Sequence, residues 1–209
     1  MEQVAKIIGF MKIVENLCQI ERDNLMSGGR RETDSDHIMK LACLIMFLRP
    51  YLIREVDYVK MLEMALVHDM VEARSGDYSL SAQAGNPALR EQKKKAETEA
   101  VEYYKSILPP PLNEKIYNLF MEYERRETDE AKIVWCLDKL EANLQANRFS
   151  DGDVRYWADC ENGDWYYRCA VTEKPLVREL NEPVLTELEK AIISISKENI
   201  AKCGIKICG

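Results

Sequence analysis

Along most of this chain, apolar residues return at steps of three and four. They do so at Val4, Ile7, Ile8, Met11 and Cys18, and again at Ile38, Leu41, Ala42, Ile45 and Met46. The same spacing recurs at Met61, Leu62, Ala65 and Leu66, at Ile133, Val134, Leu137, Leu140 and Leu144, and at Val184, Leu188, Ala191, Ile192 and Ile195. An α-helix turns once in about 3.6 residues, so such spacing collects apolar side chains on one face. That face is stable only when packed against another. The pattern predicts an all-α globule.

Breakers and caps set the boundaries. A first helix is expected over roughly residues 2–20, followed by a polar stretch from Arg22 to Thr33 broken by Gly28-Gly29. Thr33-Asp34-Ser35-Asp36 offers several N-caps for a helix that stops near Pro50. Asp57 can cap a third, running through His68-Asp69 to about Ala73, with Gly76 interrupting it. Residues 77–88 read as loop. Further helices follow at about 89–107, 112–126, from Thr128-Asp129 onward, and at about 183–199 with Pro183 in the first turn. The texture changes after Phe149, where Asp151-Gly152-Asp153 and Asn162-Gly163-Asp164 flank Tyr156, Trp157, Trp165, Tyr166 and Tyr167. Large aromatic areas suit packing of the last helix onto the core; a cap on a pocket or a dimer contact is the other reading. The expected division is a core over residues 1–150 and a C-terminal extension over 151–209.

Composition excludes several classes. A net charge of −7 argues against a duplex nucleic-acid binder, which normally carries a basic face. It leaves room for a nucleotide-sized anion held by a few local cations or a metal. No apolar run approaches the roughly 18–20 residues of a membrane span. Residues Met1 to Phe10 are amphipathic and contain Glu2, unlike a signal peptide. The seven cysteines form no C-x-x-C pair, which reads as reduced thiols in a cytoplasmic protein.

The chemistry concentrates on few residues. The chain has two histidines, and each adjoins an aspartate: Asp36-His37 and His68-Asp69. A further carboxylate, Asp138, sits on an apolar helical stripe, where an unpaired charge is costly. A salt bridge to Lys139 or an arginine is one way to satisfy it. The other is a metal: His37, His68, Asp69 and Asp138 together make a mixed nitrogen and oxygen donor set. Glu72 follows Asp69 by three residues and His68 by four, so a continuous helix would put it on their face. It is placed to handle a proton. Gly76 allows a turn that aims Asp77 back at the same pocket.

The ordered set, His37, then His68-Asp69-x-x-Glu72-x-x-x-Gly76-Asp77, then Asp138, resembles the HD-domain metal-dependent phosphohydrolases, in particular the branch containing the 5′-deoxynucleotidases. The matching stretches are Arg30-Arg31-Glu32-Thr33-Asp34-Ser35-Asp36-His37, Ala65-Leu66-Val67-His68-Asp69-Met70-Val71-Glu72, Gly76-Asp77 and Leu137-Asp138-Lys139-Leu140-Glu141. They span about residues 10–150.

The resemblance implies an HD-domain helical bundle with the aromatic-rich extension and final helix appended. It implies one divalent ion on His37, His68, Asp69 and Asp138. Such a donor set accepts Mn, Co, Fe, Mg, Ni or Zn. It gives Glu72 the part of helper acid and Asp77 a substrate-side part. Arg22 stands where the family carries a phosphate-contacting arginine, with Arg30 or Arg31 as substitutes. The family pattern has a tryptophan shortly after that arginine, closing on the sugar; here Leu25 or Met26 takes that place, so discrimination against a ribose 2′-hydroxyl does not carry over. A homodimer is also expected from the resemblance. The implied activity is hydrolysis of (deoxy)nucleoside 5′-monophosphates. The alternatives are another phosphorylated nucleotide (cyclic nucleotide, guanosine polyphosphate or triphosphate) or a non-catalytic metal- or nucleotide-binding protein.

Overall fold

The computed structural model describes residues 1–83, 85–147, 153–155 and 169–205. Helix α1 (Glu2–Val14) passes through a 3₁₀ turn (Glu15–Cys18) into a small antiparallel hairpin, β1 (Glu21–Leu25) and β2 (Arg31–Thr33). Helices α2 (Asp34–Leu48), α3 (Tyr58–Val67), α4 (Glu72–Ser75), α5 (Leu80–Gln83), α6 (Pro87–Ile107), α7 (Leu112–Arg125) and α8 (Asp129–Ala146) follow. Among the described residues, α9 (Pro175–Leu180) and α10 (Pro183–Lys202) complete the chain.

Four helix starts carry a side-chain cap. Thr33 caps α2 in a reciprocal box with Asp36, Asp57 caps α3, Asn86 caps α6 ahead of Pro87, and Thr128 caps α8. Pro183 occupies the first turn of α10, where its missing N–H costs nothing.

Helix α8 is the axis of the bundle and packs against α2, α3, α7, α9 and α10. It is buried on several faces at once, through Ile133, Val134, Cys136, Leu137 and Leu140. Leu41 and Ile45 of α2, Met61 and Met64 of α3, and Leu185 and Ile192 of α10 close the main core around it. Each such side chain contributes about 1.5–3 kcal/mol by leaving water. A second core joins Phe10 of α1 to Val101 and Tyr104 of α6 and Phe120 of α7. The Phe10 and Tyr104 rings meet edge to face at 5.0 Å.

Two regions depart from the sequence expectation. The polar stretch from Arg22 to Thr33 is the hairpin, turned at Met26–Arg30 with Gly29 at φ +82°. Its anchors are side chains meeting backbone: Asn24 Nδ2 donates to Ala142 O at 3.1 Å, and Gln145 Nε2 donates to Leu25 O at 2.7 Å. The expected helix through Ala73 instead ends at Val67, and α4 starts afresh at Glu72 after a turn. The short helices α5 and α9 also lie where none was expected. Trp157, Trp165 and their neighbouring tyrosines fall outside the described residues. No helix among the described residues is long and apolar enough to cross a membrane.

Candidate active site and metal centre

His37 comes from α2, His68 and Asp69 from the turn that ends α3, and Asp138 from the middle of α8. His37, His68 and Asp138 are buried. Their ligand atoms lie within 4.8 Å of one another. Asp69 Oδ2 lies 3.8 Å from His37 Nε2 and 3.1 Å from His68 Nε2. The four residues therefore converge.

Both imidazoles are held by their far nitrogen. His68 Nδ1 donates to Ala65 O at 2.8 Å. His37 Nδ1 donates to Glu141 Oε2 at 2.6 Å. Each ring thus turns its Nε2 inward. His68 Nε2 lies 3.1 Å from Asp69 Oδ2, and this buried atom makes no hydrogen bond of its own. A buried orphan nitrogen is costly unless it serves as a ligand. This is the test for a divalent ion, and the donor set passes it.

Asp138 is braced from behind. Tyr123 Oη donates to its Oδ2 at 2.7 Å and Lys139 Nζ lies 2.8 Å from the same oxygen, which leaves Oδ1 facing His37 Nε2 at 3.1 Å. Burial opposes the charge, yet Lys139 and the histidines hold this carboxyl well below its ordinary range. Asp69 is likewise held down against burial by His68, Arg22 and His37. For His37, burial and the Arg22 charge push the pKa down, but the hydrogen bonds it donates to Asp138 and Glu141 outweigh them and raise it to about 9.

On the open side stand Arg22, Asp34, Glu72 and Asp77. Arg22 projects from β1, with Nη1 2.9 Å from Asp69 Oδ2 and 3.2 Å from Asp34 Oδ1. Glu72, at the start of α4, is buried. Burial and then Asp69 drive its pKa well above the ordinary value, against the pull of Lys93. Its Oε1 accepts from Lys93 Nζ at 2.8 Å, while Oε2 is buried without a partner. Asp77 follows Gly76, whose φ of +76° makes the turn, and it lies within electrostatic reach of Arg22, Lys93 and Asp69. Burial raises the Asp77 pKa. Arg30 and Arg31 are not drawn into this cluster. Arg30 is exposed and forks onto Asp36 at 2.6 and 2.9 Å, and exposed Arg31 donates to Arg22 O.

Several participants escaped the sequence reading. Asp34, taken as a capping candidate, is buried in the site, and burial followed by the nearby Asp69 raises its pKa to about 6. Glu141 holds His37. Lys40 holds Glu141 at 3.0 Å and also pairs with buried Glu32. Tyr123 and Lys93 brace Asp138 and Glu72. A signal existed for Glu141 alone: it falls three residues after Asp138, on the same helix face.

Two imidazoles and two carboxylates at the centre of a helical bundle, with arginine and carboxylates on one side, have the make-up of a divalent-metal centre. The family model described as the HD domain matches residues 14–162. The chain belongs to the HD-domain family. It is 34% identical over 151 residues to 5′-deoxynucleotidase HDDC2 of Xenopus laevis, which covers 71% of this chain and 72% of that protein. It is 26% identical over 200 residues to 5′-deoxynucleotidase hdd1 of Schizosaccharomyces pombe, covering 93% and 96%. The fold is that of a predicted metal-dependent phosphohydrolase from Magnetospirillum magnetotacticum, with TM-score 0.72, 23% identity and coverage of 95% and 97%.

Proposed function

We propose that this protein is a divalent-metal-dependent 5′-nucleotidase that hydrolyses (deoxy)nucleoside 5′-monophosphates to nucleoside and phosphate. The observation that carries the reading is the pair of imidazoles, each tied by Nδ1 and turned so that both Nε2 atoms face Asp69 and Asp138. Relatives named 5′-deoxynucleotidase support the substrate class.

His37, His68, Asp69 and Asp138 would hold the ion. When bound, it supplies Lewis acidity toward the phosphoryl group and lowers the pKa of water. The remaining work belongs to the chain. Glu72 Oε2 accepts the proton of the attacking water, a task suited to a carboxylate whose pKa burial has raised. Arg22 offsets charge on the phosphoryl oxygens; its guanidinium is kept charged by Asp69, Glu72, Asp77 and Asp34 despite burial. Asp77 accepts a hydrogen bond from a sugar hydroxyl. The two exposed arginines, Arg30 and Arg31, have no part in this scheme.

The test is phosphate release from ribo- and deoxynucleoside 5′-monophosphates by chelator-stripped protein refilled with Mn, Co, Mg, Ni or Zn. Metal-restored release is expected, and it should be lost in His68→Ala. Release unchanged in that variant overturns the site. Activity confined to cyclic nucleotides or polyphosphates overturns the substrate class. Leu25 is buried and Met26 half-buried at the position where the family pattern has its tryptophan, so ribo- and deoxynucleotides should be cleaved at similar rates.

A further inference from the structure

Lys93 is one of three consecutive lysines, Lys93 to Lys95, on a helix whose sequence reads as a solvated charged face. The structure separates them. Lys95 is exposed and pairs loosely with Glu99 at 3.8 Å. Lys93 turns inward, its Nζ 2.8 Å from Glu72 Oε1 and 3.1 Å from Glu97 Oε1. Glu97 is nearly buried one turn further along the same helix. The ammonium is therefore fixed between two carboxylates, one of its own helix and one of α4.

A buried ion pair adds little net stability, because desolvation offsets the attraction; what it fixes is geometry. Here the geometry is one-sided. Oε1 of Glu72 is tethered, and Oε2 is left buried and unpartnered. Glu72 sits at the first residue of a four-residue helix, so α4 alone restrains it poorly. The restraint comes from α6, a helix of 21 residues anchored in the core through Ala100, Val101 and Tyr104.

We propose that Lys93 is a positioning residue for Glu72: its ammonium, carried on the rigid α6, holds one carboxylate oxygen so that the other stays aimed at the reacting water. This rests on the reading in which Glu72 handles the proton. Lys93 acts through Glu72 and touches neither substrate nor reacting atoms, and Glu97 keeps the ammonium in place.

The experiment is a kinetic and thermal cycle on the full chain with the metal that supports wild-type turnover. The variants are Lys93→Met, Lys93→Arg, Glu72→Gln, the Lys93→Met/Glu72→Gln double, and Lys95→Met as the surface control. Lys93→Met is expected to lower kcat about tenfold or more, since positioned proton transfer is worth at least that. KM should stay within about twofold, as no uniform binding is removed. Lys93→Arg should recover most of the loss, and Lys95→Met should match wild type. The double variant should be no slower than Glu72→Gln, because the two residues act as one unit. It should also melt above Lys93→Met, which leaves Glu72 buried and uncompensated. A raised KM with kcat intact, additive losses in the double variant, or an unaffected Lys93→Met overturns the proposal. If Lys93→Met does not fold, Lys93→Arg and the double variant carry the kinetics. Should the wild type release phosphate from no nucleotide, the hydrolase reading falls by itself. The melting order then decides the pairing, and equal melting of Lys93→Met and the double variant overturns it.

Discussion

Replacing Glu141 by alanine should weaken metal binding while leaving the fold in place. Glu141 Oε2 accepts the His37 Nδ1 proton at 2.6 Å in a buried setting, and that bond sets both the ring plane and the basicity of Nε2. A hydrogen bond to a charged group contributes about 1.5–3 kcal/mol, which is about 10- to 150-fold in an equilibrium constant. An opposing effect trims this. The same carboxylate helps raise the His37 pKa to about 9, so its loss also weakens the proton that competes with the metal. At pH 7 the net loss should therefore lie near the lower end, about tenfold. Folding should suffer less, because Lys40 keeps Glu32 and the Gln145 carbonyl, the latter at 2.8 Å, and is not orphaned. The assay is competition with a chromogenic chelator, read beside the thermal midpoint. Glu141→Gln, which retains an acceptor without the charge, should fall between alanine and wild type. Wild-type affinity in a folded Glu141→Ala protein would refute the reasoning.

The other expectations follow the same geometry. Tyr123→Phe removes the buried donor to Asp138 Oδ2 and should cost about 1.5–3 kcal/mol between metal affinity and stability, measured by the same competition and by denaturant unfolding. Metal uptake should release a proton from His37 below about pH 9, so apparent affinity should climb up to about tenfold per pH unit; calorimetry in buffers of different ionisation enthalpy that finds no proton release would count against it. Before loading, the sign for stability is the reverse. The folded pKa of His37 lies above its ordinary 6.5, so its contribution is full below that value and fades as pH rises through 9. Glu182→Ala, far from the site, removes the acceptor for the Ile53 and Arg54 amides, both at 3.0 Å, and should cost about 2–4 kcal/mol. Scanning calorimetry should show a lower midpoint by about 2–4 °C for each kcal/mol lost in a chain of this length.

Helices with a continuous apolar stripe were legible because burial and period say the same thing. Those capped by Thr33, Asp57 and Thr128 start where their caps stand, and the last has Pro183 in its first turn. The hairpin was not legible, because β1 and β2 are held less by an alternating apolar face than by Asn24 and Gln145 reaching backbone across more than a hundred residues. The break after Val67 was hidden for another reason. Apolar Met70 and Val71 continue the helical period through the turn, and Val71 is buried as it would be in a helix. The consequence for the site is real: His68 and Asp69 lie side by side at a helix end, where both reach inward, and Glu72 starts a new helix rather than riding the old one.

The donors themselves are legible for a reason that does not extend to the residues that steer them. Among side chains that bind divalent metals, histidine is scarce here, so the two that exist stand out. The residues that aim those donors are glutamates, lysines and a tyrosine, and nothing local separates Lys93 from Lys95; Glu141 alone carries a local signal, three residues after Asp138 on the same helix face. What separates them is which helix faces which. Lys40, Glu32, Glu141 and His37 form one chain of contacts behind the proposed metal donors, and Glu97, Lys93 and Glu72 form another that ends on the proposed proton acceptor. The second chain ends on Glu72 Oε2, which is buried without a partner as His68 Nε2 is, whereas the first ends on His37 Nε2, 3.1 Å from Asp138 Oδ1. The two chains share no residue. Changes in the first should therefore alter metal affinity with little effect on proton handling, and changes in the second the reverse. That division can be read by measuring both quantities in Glu141→Ala and Lys93→Met side by side, and a variant that moved both equally would break it.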